Sequence, residues 1–241
     1  MSIRAILFDI YETLLQVSPP PDDASARWSQ LWHDRLHAPP RLSLTEFGSA
    51  CERVIHREHQ AARSLGIGFP EVYWPTVVTE VVPELLGIPE QDQEEFCFVQ
   101  TQLWHTVRLM PGAASVLTSL AQSSIPLGLV SNCQPYTLCE LDAALAEANL
   151  TRRLFPPPLC FFSFEHGFSK PNPHVFRLMT ARLAARGILP SEILMVGDRA
   201  DNDIQPSKAQ GWQTWQLGKS SDDDWSRLHE WLRHHQTSIP A

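Results

Sequence analysis

Residues 5–14 read Ala-Ile-Leu-Phe-Asp-Ile-Tyr-Glu-Thr-Leu. Four apolar residues run straight into an aspartate. An apolar run of this length, without alternation, suits a strand buried on both faces, as in a parallel sheet covered by helices. The pattern returns down the chain. Leu127-Gly-Leu-Val130 precedes Ser131, Leu159-Cys-Phe-Phe162 stands further on, and Ile193-Leu-Met-Val196 precedes Gly197-Asp198; Thr214-Trp-Gln-Leu217 is a weaker fifth. The stretches between have helical spacing: 113–123, with Val116, Leu117 and Leu120 on one face, then 136–149 and 173–186. Strand and helix in alternation predict an open α/β sheet. Ligands of such sheets bind outside the carboxyl ends of the strands. Asp9, Ser131 and Asp198 are therefore expected in one crevice, with Lys170 close enough to join them.

Well over a hundred residues separate Asp9 from Leu127, far more than one crossover helix requires. Pro19-Pro20-Pro21 marks an exit and Met110-Pro111-Gly112 a return. Between them the spacing predicts helices over 27–36, 44–65, 71–86 and 89–104. The expected organisation is a Rossmann-like parallel-sheet core, residues 1–16 and 108–241, interrupted by an α-helical cap, residues 17–107. Charge follows the same division. The chain of 241 residues carries a formal net charge of −8; residues 16–107 hold six Lys+Arg against thirteen Asp+Glu, or −7, and the remainder is close to neutral.

Composition excludes several functions. An acidic chain lacks the clustered cations that phosphate contacts need, so nucleic acid is not an expected partner. No apolar run approaches the roughly 18–20 residues that cross a bilayer. The N-terminus lacks the long apolar region of a secretory signal, which predicts a cytoplasmic protein without membrane contact. The five cysteines are odd in number, scattered and without a Cys-x-x-Cys pair, fitting neither a disulfide framework nor a zinc site.

The strand ends carry complementary chemistry. Asp9 is a carboxylate at a strand end, with the hydroxyl of Thr13 four residues on, a setting that suits covalent catalysis by aspartate. Ser131 and Asn132 offer a hydroxyl and an amide able to hold an anionic group. Lys170, in Ser169-Lys-Pro-Asn-Pro173, supplies a cation in a rigid setting. Val196-Gly-Asp-Arg-Ala-Asp-Asn-Asp203 packs three carboxylates into six residues. Carboxylate oxygens are the preferred ligands of Mg²⁺.

These four motifs, in this order, resemble the haloacid dehalogenase-like (HAD) superfamily, in the branch whose helical cap follows the first motif. The resemblance implies a hydrolase in which Asp9 is the nucleophile and forms a covalent aspartyl intermediate on a small-molecule substrate. It implies that Thr13 and Ser131 hydrogen-bond the transferred group or orient the nucleophile, and that Lys170 stabilises the nucleophile and the anionic intermediate. Mg²⁺ would be held by Asp9, the backbone carbonyl of Tyr11 and Asp198, with Asp203 as a further ligand or support. Substrate selection would fall to the cap, where Trp32 and Arg35 are candidates.

Tyr11 departs from the family's phosphatases, which carry a second aspartate there as general acid/base. A tyrosine, with an ordinary pKa of about 10, is a poor base at neutral pH. Glu12 could substitute only by turning toward the substrate. Asp-x-Tyr-x-Thr is the first motif of the family's 2-haloacid dehalogenases, where halide leaves without a proton; those enzymes need no Mg²⁺ and lack this acidic fourth motif. Three readings stay open: a Mg²⁺-dependent phosphatase, slowed by Tyr11; a dehalogenase-like carbon-centred hydrolase; and a catalytically retired domain that binds without turnover. Oligomeric state is not legible.

Overall fold

In the computed structural model, which describes residues 2–218 and 224–235, the run Ala5–Phe8 becomes the central strand of a parallel sheet. The strands are β1 (Ala5–Phe8), β2 (Leu15–Ser18), β3 (Thr106–Leu109), β4 (Leu127–Ser131), β5 (Cys160–Phe162), β6 (Ile193–Gly197) and β7 (Gln213–Gln216). Five of them form the parallel sheet, in the order β5-β4-β1-β6-β7. The helices are α1 (Ala24–Leu36), α2 (Leu44–Ser64), α3 (Trp74–Val81), α4 (Glu90–Thr101), α5 (Ala113–Ala121), α6 (Pro135–Glu147), α7 (Ser163–His166), α8 (Pro173–Ala184), α9 (Gln205–Ala209) and α10 (Asp224–His235). None of the described helices is long and apolar enough to cross a membrane. Lys219 lies outside the described residues.

Burial on both faces explains why the strands read as unbroken apolar runs. Ile6, Phe8, Leu129, Leu194 and Val196 share one cluster with Leu117 of α5, Leu141 and Leu145 of α6, and Leu228 of α10. Ala5, Leu7, Val130, Ile193 and Met195 point into a second, with Val175, Phe176, Met179 and Leu183 of α8. Alternate residues of one strand thus serve opposite cores.

A third apolar cluster belongs to α1–α4: Trp28, Trp32, Phe47, Val77, Val78 and Phe96, with the Trp28 and Phe47 rings 4.9 Å apart. Within this helical unit α2 starts at a capping box: Ser43 Oγ accepts from the Glu46 amide at 3.3 Å, and Glu46 Oε2 accepts from the Ser43 amide at 2.8 Å. One expected helix is shorter than its spacing indicated. Over 71–86, residues 71–73 are extended, α3 covers only Trp74–Val81, and Pro83 opens a 3₁₀ turn, Pro83–Gly87. Proline lacks an amide for the helix and disfavours helical geometry in the residue before it. Val82 accordingly sits at φ −123°, ψ 73°.

The chain leaves and re-enters the core through a feature the sequence reading did not contain. β2 and β3 pair antiparallel, with Leu15 opposite Leu109 and Ser18 opposite Thr106. The boundaries read at 16/17 and 107/108 fall inside this ribbon.

Gly128, in β4, has no room for a side chain. A Cβ there would lie 2.2 Å from the Leu159 backbone oxygen and 2.6 Å from Leu7 Cδ2. Gly128→Ala is expected to force β4 and β5 apart and to cost about 1–3 kcal/mol of stability, as overpacking of a tight core does. Urea unfolding checks this; a variant as stable as wild type would show that β5 yields freely.

Candidate active site

β1, β4 and β6 all end at the same edge of the sheet, and their next residues meet there. Asp9 follows β1, Ser131 ends β4, and Asp198 follows β6. Asp9, Asp198 and Asp203 each offer a carboxylate oxygen, and these atoms lie within 4.8 Å of one another. Lys170, brought in by the loop before α8, donates from Nζ to Asp9 Oδ1 at 2.9 Å and to Asp203 Oδ1 at 2.5 Å. The structure brings together the residues expected at strand ends, although they are up to 194 positions apart.

Two local devices hold this arrangement. Gly197 lets Asp203 fold back against β6: a Cβ at 197 would lie 2.5 Å from Asp203 Oδ2. The tight π-type turn Ala200–Ile204 returns Asp203 to accept from the Arg199 amide at 3.1 Å. Asn132 is the second device. Its Nδ2 donates to the Lys170 carbonyl at 2.9 Å and its Oδ1 accepts from the Lys170 amide at 2.7 Å. Its amide group, read from sequence as an anion holder, is spent on clamping the lysine segment.

Burial opposes the charge on Lys170, but the carboxylates of Asp9 and Asp203 outweigh it and hold the ammonium above its ordinary pKa. Burial pushes the Asp203 carboxyl up, and Asp9 adds to that push against the pull of Lys170. Asp9, Asp198, Asp203 and Lys170 together carry three formal negative charges and one positive. A divalent cation would bring the set to neutrality, and hard carboxylate oxygens suit Mg²⁺. The residues present therefore fit the ion. The hydroxyls of Thr13 and Ser131 are buried and have no hydrogen-bond partner within the protein. Two unpaired buried donors, one ending β4 and one four residues beyond Asp9, are suited to an anion's oxygens.

Tyr11 and Glu12 are committed elsewhere. The Tyr11 hydroxyl donates to Glu140 Oε2 at 2.5 Å and lies 3.0 Å from Thr137 Oγ1. Burial, and then the charge of Glu140, raise its pKa far above the ordinary phenol value. Glu12 Oε1 accepts from the Val17 amide on β2 at 3.3 Å. Neither group takes up the missing aspartate's place as a base. Arg199 pairs with Asp201, at 2.6 Å from Nη2 to Oδ2.

The cap candidates do not join the cluster. Trp32 is 1% exposed, packed against Trp28 and Phe96 in the interior of the helical unit. Arg35 is tied to Asp92 and Glu95 of α4. The helical unit instead reaches the core through residues 69–74. The Ser169 amide donates to the Phe69 carbonyl at 2.9 Å and the Glu71 amide to the Gly167 carbonyl at 3.0 Å. Glu71 Oε2 accepts from Ser163 Oγ at 2.7 Å, and Gln134 Nε2 donates to Glu71 Oε1 at 3.1 Å. Glu71, Gln134, Ser163 and Glu140 were all missed from sequence. Only Glu140 carried a signal, an acid at a core position of an amphipathic helix.

Burial pushes the Glu71 carboxyl above its ordinary value, against hydrogen bonds from Ser163, the Val72 amide and Gln134. A carboxyl that binds its proton more tightly in the folded state stabilises the fold at low pH. That contribution is complete below the unfolded value near 4.3 and is lost as pH rises through the folded value. The stability of wild type relative to Glu71→Gln is therefore expected to fall as pH rises above about 4, in urea unfolding. A difference independent of pH would remove the shift.

Residues 3–211 match the family model described as haloacid dehalogenase-like hydrolase. A phosphoserine phosphatase from Thermus thermophilus is 30% identical over 137 residues, or 56% of this chain and 50% of that protein. The chain thus spans about half the length of this curated relative. A 2-haloacid dehalogenase from Pseudomonas syringae superposes with a TM-score of 0.59 at 19% identity, covering 96% of this chain and 99% of its own. A HAD family enzyme from Bacteroides thetaiotaomicron, solved in complex with magnesium and inorganic phosphate, gives 0.55 at 14% identity, covering 94% and 98%. At these identities the two structures establish the shared fold.

Proposed function

The chain belongs to the haloacid dehalogenase-like hydrolase family, and from that premise we propose that it is a Mg²⁺-dependent phosphatase of a small phosphorylated metabolite. The observation that carries this reading is the group Asp9, Asp198 and Asp203, with oxygens within 4.8 Å of one another and one lysine to offset them. A metal-free dehalogenase has no use for that density of negative charge, which would repel a carboxylate substrate. We assign residues 1–16 and 108–241 to the catalytic core and 17–107 to the cap.

Lys170 holds Asp9 through Oδ1, which leaves Oδ2 as the attacking atom. An Asp9–phosphorus bond forms as the bond from phosphorus to the leaving oxygen breaks. The Thr13 and Ser131 hydroxyls donate to the phosphoryl oxygens, where charge accumulates. Water then attacks phosphorus, the bond to Asp9 breaks, and inorganic phosphate departs. Asp9, Asp198 and the Tyr11 carbonyl would hold Mg²⁺, with Asp203, already engaged by Lys170 and the Arg199 amide, as support. The bound ion supplies positive charge that offsets repulsion between nucleophile and substrate. Because the Tyr11 hydroxyl is given to Glu140, the leaving oxygen must take its proton from solvent. A positioned acid typically contributes about 10²–10⁴-fold, so turnover of alkyl phosphates is expected to be slow.

One feature favours a second reading. Tyr11 occupies the acid's position, and a halide leaves without needing a proton; this supports carbon–halogen hydrolysis by the same Asp9. Release of phosphate from aryl phosphates is expected with Mg²⁺, and its loss by at least about 10³-fold with chelator or in Asp9→Asn. Halide release from 2-haloacids, indifferent to chelator, would replace the phosphatase reading with the dehalogenase one. Inactivity in both assays would leave a binding role.

A further inference from the structure

Tyr11 stands two residues beyond Asp9, and its phenol is tied to the opposite end of the helical unit's attachment. Glu140, which accepts its proton, lies on α6 with a side chain only 1% exposed. A carboxylate buried to that degree requires partners for both oxygens. Oε2 has the Tyr11 hydroxyl at 2.5 Å; Oε1 has His105 Nε2 at 2.9 Å. The His105 ring also meets the Tyr11 ring edge-on, with centroids 5.8 Å apart. His105 immediately precedes β3, by which the chain returns from the helical unit. Tyr11 precedes the turn into β2, by which it leaves. In that turn the Leu14 and Leu15 amides both donate to the Ile10 carbonyl at 2.8 Å. One buried carboxylate thus joins the loop that presents Asp9, and that runs on into β2, to the residue preceding β3.

We infer that Tyr11, Glu140 and His105 form a strut that couples the ribbon carrying the helical unit to the Asp9 loop, with Glu140 as a positioning residue. The physical reason is that the two hydrogen bonds, from Tyr11 and His105, share one buried charge. Loss of either partner leaves Glu140 under-satisfied, and the remaining partner must shift to cover it. Those partners sit on different segments, so a disturbance at the ribbon reaches the nucleophile's loop. The role given to Asp9 rests on the phosphatase reading; the coupling itself does not.

Hydrogen–deuterium exchange on the full chain tests the coupling without any substrate. His105→Asn is expected to speed exchange of the Leu14 and Leu15 amides, as well as those of 106–109, by at least about threefold. Tyr11→Phe is expected to do the same at both places, and Glu140→Gln, which keeps shape and packing, guards against a trivial loss of fold. The double variant Tyr11→Phe/His105→Asn should exchange no faster than the more affected single one, because both break the same unit. Kinetically, each single variant should lose about tenfold in kcat with KM nearly unchanged, again without additivity. Exchange confined to the mutated segment, or additive effects in the double variant, would overturn the strut. An inactive wild type with coupled exchange would instead overturn the phosphatase reading and leave the strut standing.

Discussion

A single ammonium group organises the edge of the sheet. Lys170 is 3% exposed and lies between two carboxylates, Asp9 and Asp203, that come from opposite ends of the chain. Removing charge from water is expensive, and a buried ion pair is tolerated only when geometry is tight and hydrogen bonds are complete. The surrounding structure meets those terms. Asn132 grips the lysine's own backbone from both sides, fixing where the side chain begins. Gly197 leaves space for Asp203 to fold against the strand, and the backbone amide of Arg199 takes its second oxygen. Breaking any of these parts would leave like charges facing one another in a dry place.

Against that background the tyrosine at position 11 changes meaning. In the sequence it reads as an absence, the place where a proton donor is missing. In the structure it is a presence, a phenol whose hydrogen is already given to a buried carboxylate. Burial and the neighbouring charge fix the phenol in its neutral form, so it neither accepts nor releases protons in the ordinary range. A phenol so committed leaves no free proton carrier on the side chain two residues beyond Asp9.

The strands and their ends were legible because burial on both faces leaves an unambiguous apolar run. A polar residue that closes such a run has one direction to face. The paired strands Leu15–Ser18 and Thr106–Leu109 were not legible. Each has four residues, they are separated by the whole helical unit, and no turn signal joins them. The non-helical stretch before Trp74 carries apolar residues at helical spacing, which hides it, while Pro83 marks where the helix cannot continue. Within the site, the Asn132 amide binds the Lys170 backbone, a use the sequence does not distinguish from holding an anion, since a side-chain amide serves either equally well. Glu140 shares its helix face with Thr137, Leu141, Ala144 and Leu145, all buried. An acid on a core face needs an internal partner, and that was the available clue. Glu71 had none, because its side-chain partners, Gln134 and Ser163, lie over sixty residues away.

The pairing of Ser18 with Thr106 has a consequence for how such a molecule is assembled. Directly opposed residues of an antiparallel pair lie roughly 4.5–5.5 Å apart, a gap that a two-residue turn can close. The inserted helices are therefore tied covalently to the core at one point, and residues 69–74 add a second, non-covalent attachment. With respect to strand order the insertion is topologically silent: a tight hairpin in its place would leave the path of the parallel sheet unchanged. The helical portion can thus change in length away from residues 69–74 without changing the order of the strands beneath it.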